Sequence, residues 1–370
     1  MKKSFYHSIQ LPGVTLPGNL FLAPLAGYTD KAFREVARSY GADFCYTEMV
    51  SAEAIARENE KTYDLMERGD YEDTLGIQIF LSRPDQAERA LPGILNYSPS
   101  LIDINCGCPV PKVVKTGAGA ALMQQPDKIY SIVRLLSSAT EIPITVKIRS
   151  GWDESSINFE EAGKAAVEGG ASMVGIHART RLQGYSGTSR WEHIARLAEL
   201  LPVPVIGSGD LFSPQAAVDM LRQTGCAGVM FARGAIGNPL IFQQTRSLLL
   251  GEQPHDNAHR ERAASADKPE DPIKARDAQL VRRLAIGYYH LQRELHYKNE
   301  ARACAEMKKH LSAYTKGFPD SSNLRNKLMR CSSQMCYRQV LQDYLQHHFS
   351  VELQEETGRT LPGSNEVLRS

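Results

Sequence analysis

The sequence predicts an α/β protein, a (β/α)8 TIM barrel followed by a C-terminal all-α helical domain. Three observations carry this prediction. Eight short runs of apolar and β-branched residues recur through the first two-thirds of the 370-residue chain. Segments that read as helices lie between them, so strand and helix alternate. Beyond a polar stretch, apolar residues recur at intervals of three and four, the period of a helix.

In chain order the predicted strands are residues 20–24, 43–48, 75–80, 101–105, 144–148, 173–177, 203–206 and 228–231. The predicted helices include residues 30–40, 86–96, 126–138, 159–169, 192–200 and 214–223. The runs lack the polar alternation of a half-exposed antiparallel sheet and read as buried on both faces, which is the pattern of a parallel sheet covered by helices. Eight such units within about 240 residues suit a closed barrel better than an open doubly wound sheet. The catalytic barrel is therefore assigned to residues 1–250. Residues 251–272, rich in Gln, Pro, His, Asp and Asn, read as a polar linker. Residues 273–348 read as a helical domain, with Leu284, Tyr288 and Leu291 on one face and Met307, Leu311 and Tyr314 on another. Residues 349–370 are polar and read as an unstructured tail.

Charge sharpens the division. Over the whole chain 43 Lys and Arg meet 42 Asp and Glu, a net +1 with 42% hydrophobic residues. This composition excludes a disordered, collagen-like or coiled-coil chain. Between Lys274 and Arg330, however, there are thirteen basic and five acidic residues, a local +8 that leaves −7 for the remainder. A helical module carrying that charge on its outer faces reads most simply as a solvated helical face, the common outcome of such an excess, and leaves a polyanionic partner open. No window approaches the roughly 20 apolar residues of a membrane span, and Met1-Lys2-Lys3-Ser4 leads into Gln, Pro and Gly rather than a signal core, so a cytoplasmic protein with no membrane partner is expected. The seven Cys, at 45, 106, 108, 226, 304, 331 and 336, show no spacing of a disulfide framework or zinc site. Most are read as reduced and buried, with no metal expected.

In a parallel barrel the chemistry sits at the C-terminal ends of the strands. The first run ends at Pro24-Leu25-Ala26-Gly27, the third contains Gln78, the fifth ends at Lys147-Ile148-Arg149 and the sixth at His177-Ala178-Arg179-Thr180-Arg181. The seventh and eighth are followed by Ser208-Gly209-Asp210 and Ala232-Arg233-Gly234, turns whose backbone N–H groups form the phosphate cradle usual in this barrel type. A phosphorylated cofactor is the expected occupant. Gln78, Lys147 and His177 could converge on its head group, with Lys147 holding negative charge on a reduced ring. Cys108, between Gly107 and Pro109 at the end of the fourth run, is expected to expose its thiol at the barrel mouth. Cys106 and Cys108 could alternatively form a redox pair.

These residues carry a resemblance. Ala23-Pro24-Leu-Ala-Gly-Tyr-Thr-Asp30, Thr47-Glu48-Met49, Asn105-Cys-Gly-Cys108-Pro-Val-Pro-Lys112-Val, Val146-Lys147-Ile-Arg149-Ser-Gly-Trp152-Asp153, His177-Ala-Arg179-Thr-Arg181 and Gly228-Val-Met-Phe-Ala-Arg233-Gly-Ala-Ile-Gly-Asn-Pro239 are similar to the tRNA-dihydrouridine synthases, in particular the bacterial B-type subgroup. The match spans residues 20–242, and Glu306-Met-Lys-Lys-His310-Leu-Ser-Ala-Tyr314 with Lys316-Gly317 resembles that family's C-terminal RNA-binding domain. The resemblance implies an FMN-containing barrel that uses NADPH to reduce uridine in tRNA. Position by position it implies Pro24, Leu25 and Ala26 along the flavin, Gln78, Lys147 and His177 on the isoalloxazine, and Ser208, Gly209, Asp210, Ala232 and Arg233 at the ribityl phosphate. Cys108 would protonate C5 of the uracil as hydride reaches C6, and Arg179, Arg181, Lys308 and Lys309 would contact RNA. A single chain is the expected working unit.

The chain departs from the family pattern at Cys106, Ala178, Ser208, Ala232 and Ser189-Arg190. None removes a proposed catalytic group, but Ala178 and Ala232 are compatible with backbone phosphate contacts only at negative φ. Arg190 changes the charge near the RNA entrance, leaving the substrate position, and ribosomal in place of transfer RNA, open. A flavin reductase of a free pyrimidine or other small molecule is the alternative within enzymes, and an RNA-binding factor with a vestigial flavin site the alternative outside them.

Overall fold

The computed structural model describes residues 5–252 and 272–356. A hairpin of β1 (Ile9–Leu11) and β2 (Val14–Leu16) precedes the barrel strands β3 (Leu20–Leu22), β4 (Phe44–Cys45), β5 (Val50–Ser51), β6 (Gly76–Phe80), β7 (Leu101–Asn105), β8 (Ile144–Arg149), β9 (Met173–His177), β10 (Val205–Ser208) and β11 (Gly228–Phe231). Around them lie α1 (Lys31–Ser39), α2 (Ala52–Ala56), α3 (Glu60–Met66), α4 (Pro84–Leu95), α5 (Pro111–Val114), α6 (Pro126–Ala139), α7 (Phe159–Glu168), α8 (Trp191–Leu200), α9 (Pro214–Thr224) and α10 (Leu240–Leu250). The sheet order is β4-β3-β11-β10-β9-β8-β7-β6-β5, all parallel. A parallel bridge between Tyr46 and Gly76, with Thr47 N–H donating to the Gly76 carbonyl at 2.9 Å, joins the two ends and closes the ring.

Two strands differ from expectation. The second run breaks after Tyr46, and β5 resumes beside β6. The seventh begins at Val205 and reaches Ser208, because Pro204 has no N–H to give the ladder. Local signals set the helices: Asp30 caps α1 by accepting from Phe33 N–H at 3.0 Å, Ser213 caps α9, and Pro opens α4, α6 and α9.

Alternation along the strands separates two apolar layers. Leu20, Leu22, Ile77, Ile79, Ile102, Ile104, Val146, Ile148, Val174 and Ile176 pack outward into the core shared with the helices. Phe21, Phe44, Tyr46, Leu101, Met173, Ile206 and Met230 fill the barrel, and Ile9, Leu11 and Leu16 of the hairpin join that inner cluster. Gly76 sits where the ring closes; a Cβ there would lie 2.7 Å from the Tyr46 ring and 2.8 Å from Leu101.

The C-terminal helices are α11 (Pro272–Tyr297), α12 (Glu300–Tyr314), α13 (Ser321–Arg330) and α14 (Gln334–Phe349). Leu284, Tyr288, Leu291, Met307, Leu311 and Tyr314 form their core with Tyr337 and Leu341, and Val36, Tyr40 and Leu240 of the barrel enter the same cluster. Helix α1 is thus shared by both parts. Its Arg34 makes a buried bidentate pair with Glu72, both contacts at 2.8 Å.

The basic residues of this module are not all on outer faces. Arg293 pairs with Glu35 at 2.7 Å and Lys298 with Asp30 at 2.5 Å, because α1 turns its carboxylates toward α11. Arg276, Lys316, Lys327 and Arg330 are exposed. Cys331 and Cys336 form a disulfide between the end of α13 and the first turn of α14, with Cα atoms 5.4 Å apart, although their spacing is not that of a disulfide framework. Five residues of spacing looked unremarkable in sequence, yet a tight helix–helix corner brings the two together. Most of the polar stretch 251–272 and residues 357–370 lie outside the described residues. In the described part of the C-terminal stretch, Leu353 packs on the helical core and Glu356 accepts from the Tyr40 hydroxyl at 2.9 Å.

Gly76→Ala is expected to destabilise the chain by about 1–3 kcal/mol through overpacking at the closure. Urea unfolding monitored by circular dichroism measures this, and an unchanged midpoint would mean that the seam has room.

Candidate active site

Parallel register stacks the inward residues in layers. Gln78 lies beside Asp103 and Asp103 beside Thr145; one layer higher Asn105 lies beside Lys147; at the rim His177 neighbours both Arg149 and Ser208. Above them opens a cavity of about 410 Å³, lined by Pro24, Leu25 and Ala26 on one side, Lys147 and His177 below, Cys108 on a loop, and Ser208, Gly209, Asp210, Ala232 and Arg233 opposite. The structure brings these eleven predicted residues to one cavity. Gln78 is not among its lining residues; it is fully buried below.

What Gln78 does is hold others. Thr145 Oγ1 donates to Asp103 Oδ1 at 2.5 Å and Gln78 Nε2 to Asp103 Oδ2 at 2.7 Å. Asn105 Nδ2 donates to Gln78 Oε1 at 2.8 Å, and Asn105 Oδ1 accepts from the N–H groups of Gly107 at 3.1 Å and Cys108 at 2.8 Å. A continuous chain of bonds thus runs from the barrel interior to the backbone of Cys108. Burial pushes the Asp103 carboxyl up to about 6, against the bonds from Thr145 and Gln78 that favour its ionised form. Arg149 braces the same loop from the side, its Nε donating to the Gly107 carbonyl at 2.7 Å and its Nη1 to the Thr180 carbonyl at 2.9 Å. Asn105 and Arg149 were not singled out as site residues from sequence, although both occupy strand-end positions.

The Cys108 side chain is only 9% exposed, against the expectation of an open thiol, because Val113 and Ala118 pack on it. It still lines the cavity. Burial raises the thiol above its ordinary value of 9.0, the nearby Arg149 and Lys147 cations opposing, so the group is a protonated thiol at neutral pH. Cys106 points away into the core between strands and helices, and both cysteines are free, so they form no pair.

Desolvation, aided by Arg149, lowers Lys147 to about 8. It also carries His177 well below its ordinary value, with Arg149, Lys147, Arg179 and Arg233 adding to the effect, so the imidazole is neutral. Opposite, Gly209 at φ +125° and Asp210 at φ +59° form a sharp turn. Arg179 Nη2 donates to both Asp210 carboxylate oxygens at 2.8 Å, and Ser189 N–H donates to the same carboxylate. Gly234 lets the second turn approach the first, since a Cβ there would collide with the Leu211 carbonyl. Among the described residues the N–H groups of Gly209, Asp210, Ala232 and Arg233 donate to no protein acceptor. Neither Ala178 nor Ala232 has positive φ, the condition under which they can stand in for glycine.

Of the predicted RNA contacts, Arg179 is a correction: it is 2% exposed and committed to Asp210 and the carbonyls of Ser186 and Gly187. Arg181 stacks on Trp152 at 4.6 Å, Lys309 lies 5.8 Å from the Tyr28 ring, and Lys308 is half-buried on α12. Arg190 pairs with Glu154 at 2.5 Å. Two lining residues missed in sequence are Tyr185 and Phe212, each more than half exposed, with the Arg233 guanidinium 4.5 and 5.1 Å from their rings. Their only sequence signal was an aromatic close behind a strand end.

Peptide-resolved labelling with iodoacetamide is expected to modify Cys108 with a pH midpoint above 9. A midpoint at or below 8 would instead reveal an activated thiolate.

Residues 21–350 match the family model described as dihydrouridine synthase (Dus). A probable tRNA-dihydrouridine synthase of Treponema pallidum is 40% identical over 350 residues, covering 92% of this chain and 97% of that one. A probable tRNA-dihydrouridine synthase 1 of Synechocystis is 36% identical, covering 88% and 86%, and a tRNA-dihydrouridine synthase B of Xanthomonas campestris 31%, covering 91% and 95%. The barrel, the cavity at its strand ends and a match over nearly the whole length agree: the chain belongs to the dihydrouridine synthase family.

Proposed function

We propose that this chain reduces specific uridines of tRNA to 5,6-dihydrouridine, with FMN bound in the barrel and NADPH as the reductant. The observation that carries the proposal is a protonated Cys108 thiol held by its backbone at the edge of a cavity supplied with Lys147, Arg149 and Arg233. The cavity suits the cofactor: unpaired backbone donors at two adjacent turns, with Arg233 beside them, match a phosphate, and the apolar wall of Pro24, Leu25 and Ala26 matches a flat ring.

When bound, the flavin supplies the hydride that adds to C6 of the uracil. The chain's own residues do the rest. Lys147 stabilises negative charge beside the ring, while neutral His177 offers a hydrogen bond without adding a cation. Cys108 gives its proton to C5; a thiol that stays protonated at neutral pH serves an acid, where a nucleophile would need the thiolate. Asn105, itself oriented by Gln78, fixes the thiol's loop. The target base must leave the RNA stack to enter. Arg181, Lys308 and Lys309, with the exposed Lys316, Lys327 and Arg330, offer phosphate contacts around the entrance and along the helical domain.

Mass spectrometry of tRNA from a deletion strain without a redundant paralogue is expected to show dihydrouridine missing from at least one position, restored by the wild-type gene. Cys108→Ala is expected to purify with flavin yet lose roughly 10²–10⁴-fold in turnover. Unchanged dihydrouridine at every site would sink the reading, and brisk reduction of free uracil with no stimulation by RNA would favour a small-molecule reductase.

Tyr185→Ala and Phe212→Ala are expected to weaken tRNA binding by about 1–3 kcal/mol, the usual worth of a base stacked on an aromatic ring, without loss of flavin. Steady-state KM for tRNA with flavin absorbance as control measures this, and an unchanged KM would remove the two rings from the RNA path.

A further inference from the structure

Where the helical domain meets the barrel, three fully buried side chains converge, each with at least one polar atom left without a partner among the described residues. His290 and Glu294 sit four residues apart on one face of α11, and His310 faces them from α12, all 0% exposed. One ligand atom from each lies within 4.8 Å of the others, and His290 Nε2 is 3.7 Å from Glu294 Oε1. Among the described residues His290 Nε2, Glu294 Oε1 and both ring nitrogens of His310 have no hydrogen-bond partner. Each orphaned buried group costs about 1–3 kcal/mol, so four at one point call for a missing occupant.

Lys298 Nζ lies within 2.6 Å of Asp30, Glu294 and Glu306, Arg302 reaches Glu306 from the solvent side, Lys309 adds a further nearby cation, and Glu294 also shares a hydrogen bond with Asp30. The second oxygen of Glu294 is left facing the two imidazoles. A lone pair from each of the three residues can be directed at one point, and a cation accepts all three. The Tyr314 hydroxyl lies 3.4 Å from His290 Nδ1, so an N–H there has an oxygen to meet and the Nε2 lone pair is free to bind, the usual outer-sphere arrangement of a metal-ligating histidine. Phe33 and Tyr28 close the site with their rings, 5.1 and 5.4 Å from His310.

From this geometry we infer that His290, Glu294 and His310 form a divalent-cation site whose two imidazoles and one carboxylate are a donor set for Zn²⁺. Zinc–ligand bonds near 2.0–2.1 Å imply a donor spacing of about 3.3 Å, so the three atoms, within 4.8 Å of one another, draw together when the ion binds. Its role is to join two helices, and three protein ligands leave a fourth position on the ion for a water molecule. The ion ties α11 to α12 directly behind Tyr28, Asp30 and Phe33, at the end of the loop whose Pro24–Ala26 segment walls the cavity.

The test uses the full chain, stripped with dipicolinate and titrated with ZnCl₂ alone, with metal counted by plasma mass spectrometry. One Zn²⁺ per wild-type chain is expected, with at least tenfold weaker binding in His310→Ala and His310→Gln, and a melting temperature that falls on stripping and recovers with zinc in the wild type alone. X-ray absorption of the zinc-loaded wild type is expected to show nitrogen and oxygen neighbours with an imidazole signature, which decides the matter even where a variant does not fold. A wild-type chain that takes up no zinc, holding a proton or water at this point instead, overturns the inference. So does a sulfur shell around the ion, or a folded His310 variant that binds zinc as tightly as the wild type.

Discussion

Closing the parallel sheet into a ring forces its strands to deliver their last inward residues to the same rim. The bridge from Tyr46 to Gly76 is where that closure is made, and the crowding there leaves no space for a side chain at Gly76. Once the ring is closed, residues as distant in sequence as Pro24, Lys147 and Arg233 become walls of one cavity. An open sheet with the same strands would spread them along an edge.

The barrel interior is apolar at its lower end and polar at its upper end. Phe21, Tyr46 and Met173 fill the lower part, and Asp103, Gln78, Thr145 and Asn105 form a hydrogen-bonded layer beneath the cavity. A buried carboxylate is costly unless its oxygens are satisfied, and here both are. The same bonds fix Asn105, and through it the Cys108 backbone. Cys108 is therefore placed by a network that begins in the barrel interior and reaches the cavity at Asn105, with Arg149, also at the cavity wall, bracing the loop. Among the cations, desolvation lowers Lys147 and Arg149 while the thiol stays protonated, so the site combines positive potential with a neutral acid.

The helical domain is joined to the barrel by charge as well as by apolar packing. Helix α1 starts at the end of the cavity loop, buries most of its length, and offers Asp30 and Glu35 to Lys298 and Arg293. Part of the positive charge that stood out in the sequence is therefore structural, neutralised at the junction. Arg276 on α11, Lys316 in the turn after α12, and Lys327 and Arg330 on α13 remain exposed.

The barrel, the helical appendage and the strand-end positions are legible in the sequence, because the burial pattern of each strand is a local property and barrel topology fixes which end is functional. The sequence also carried the motifs by which the family could be named. Tertiary structure decided what individual polar groups do, since a side chain's partner depends on what closure brings beside it. Arg179, which looked like an RNA contact, is committed to the Asp210 turn, and Gln78, which looked like a cofactor contact, supports Asn105. Cys331 and Cys336 became a pair, and His290, Glu294 and His310 became a cluster, only because two helices meet at a particular angle. Apolar periodicity is legible residue by residue; pairwise satisfaction of buried polar groups becomes legible only when distant segments have met.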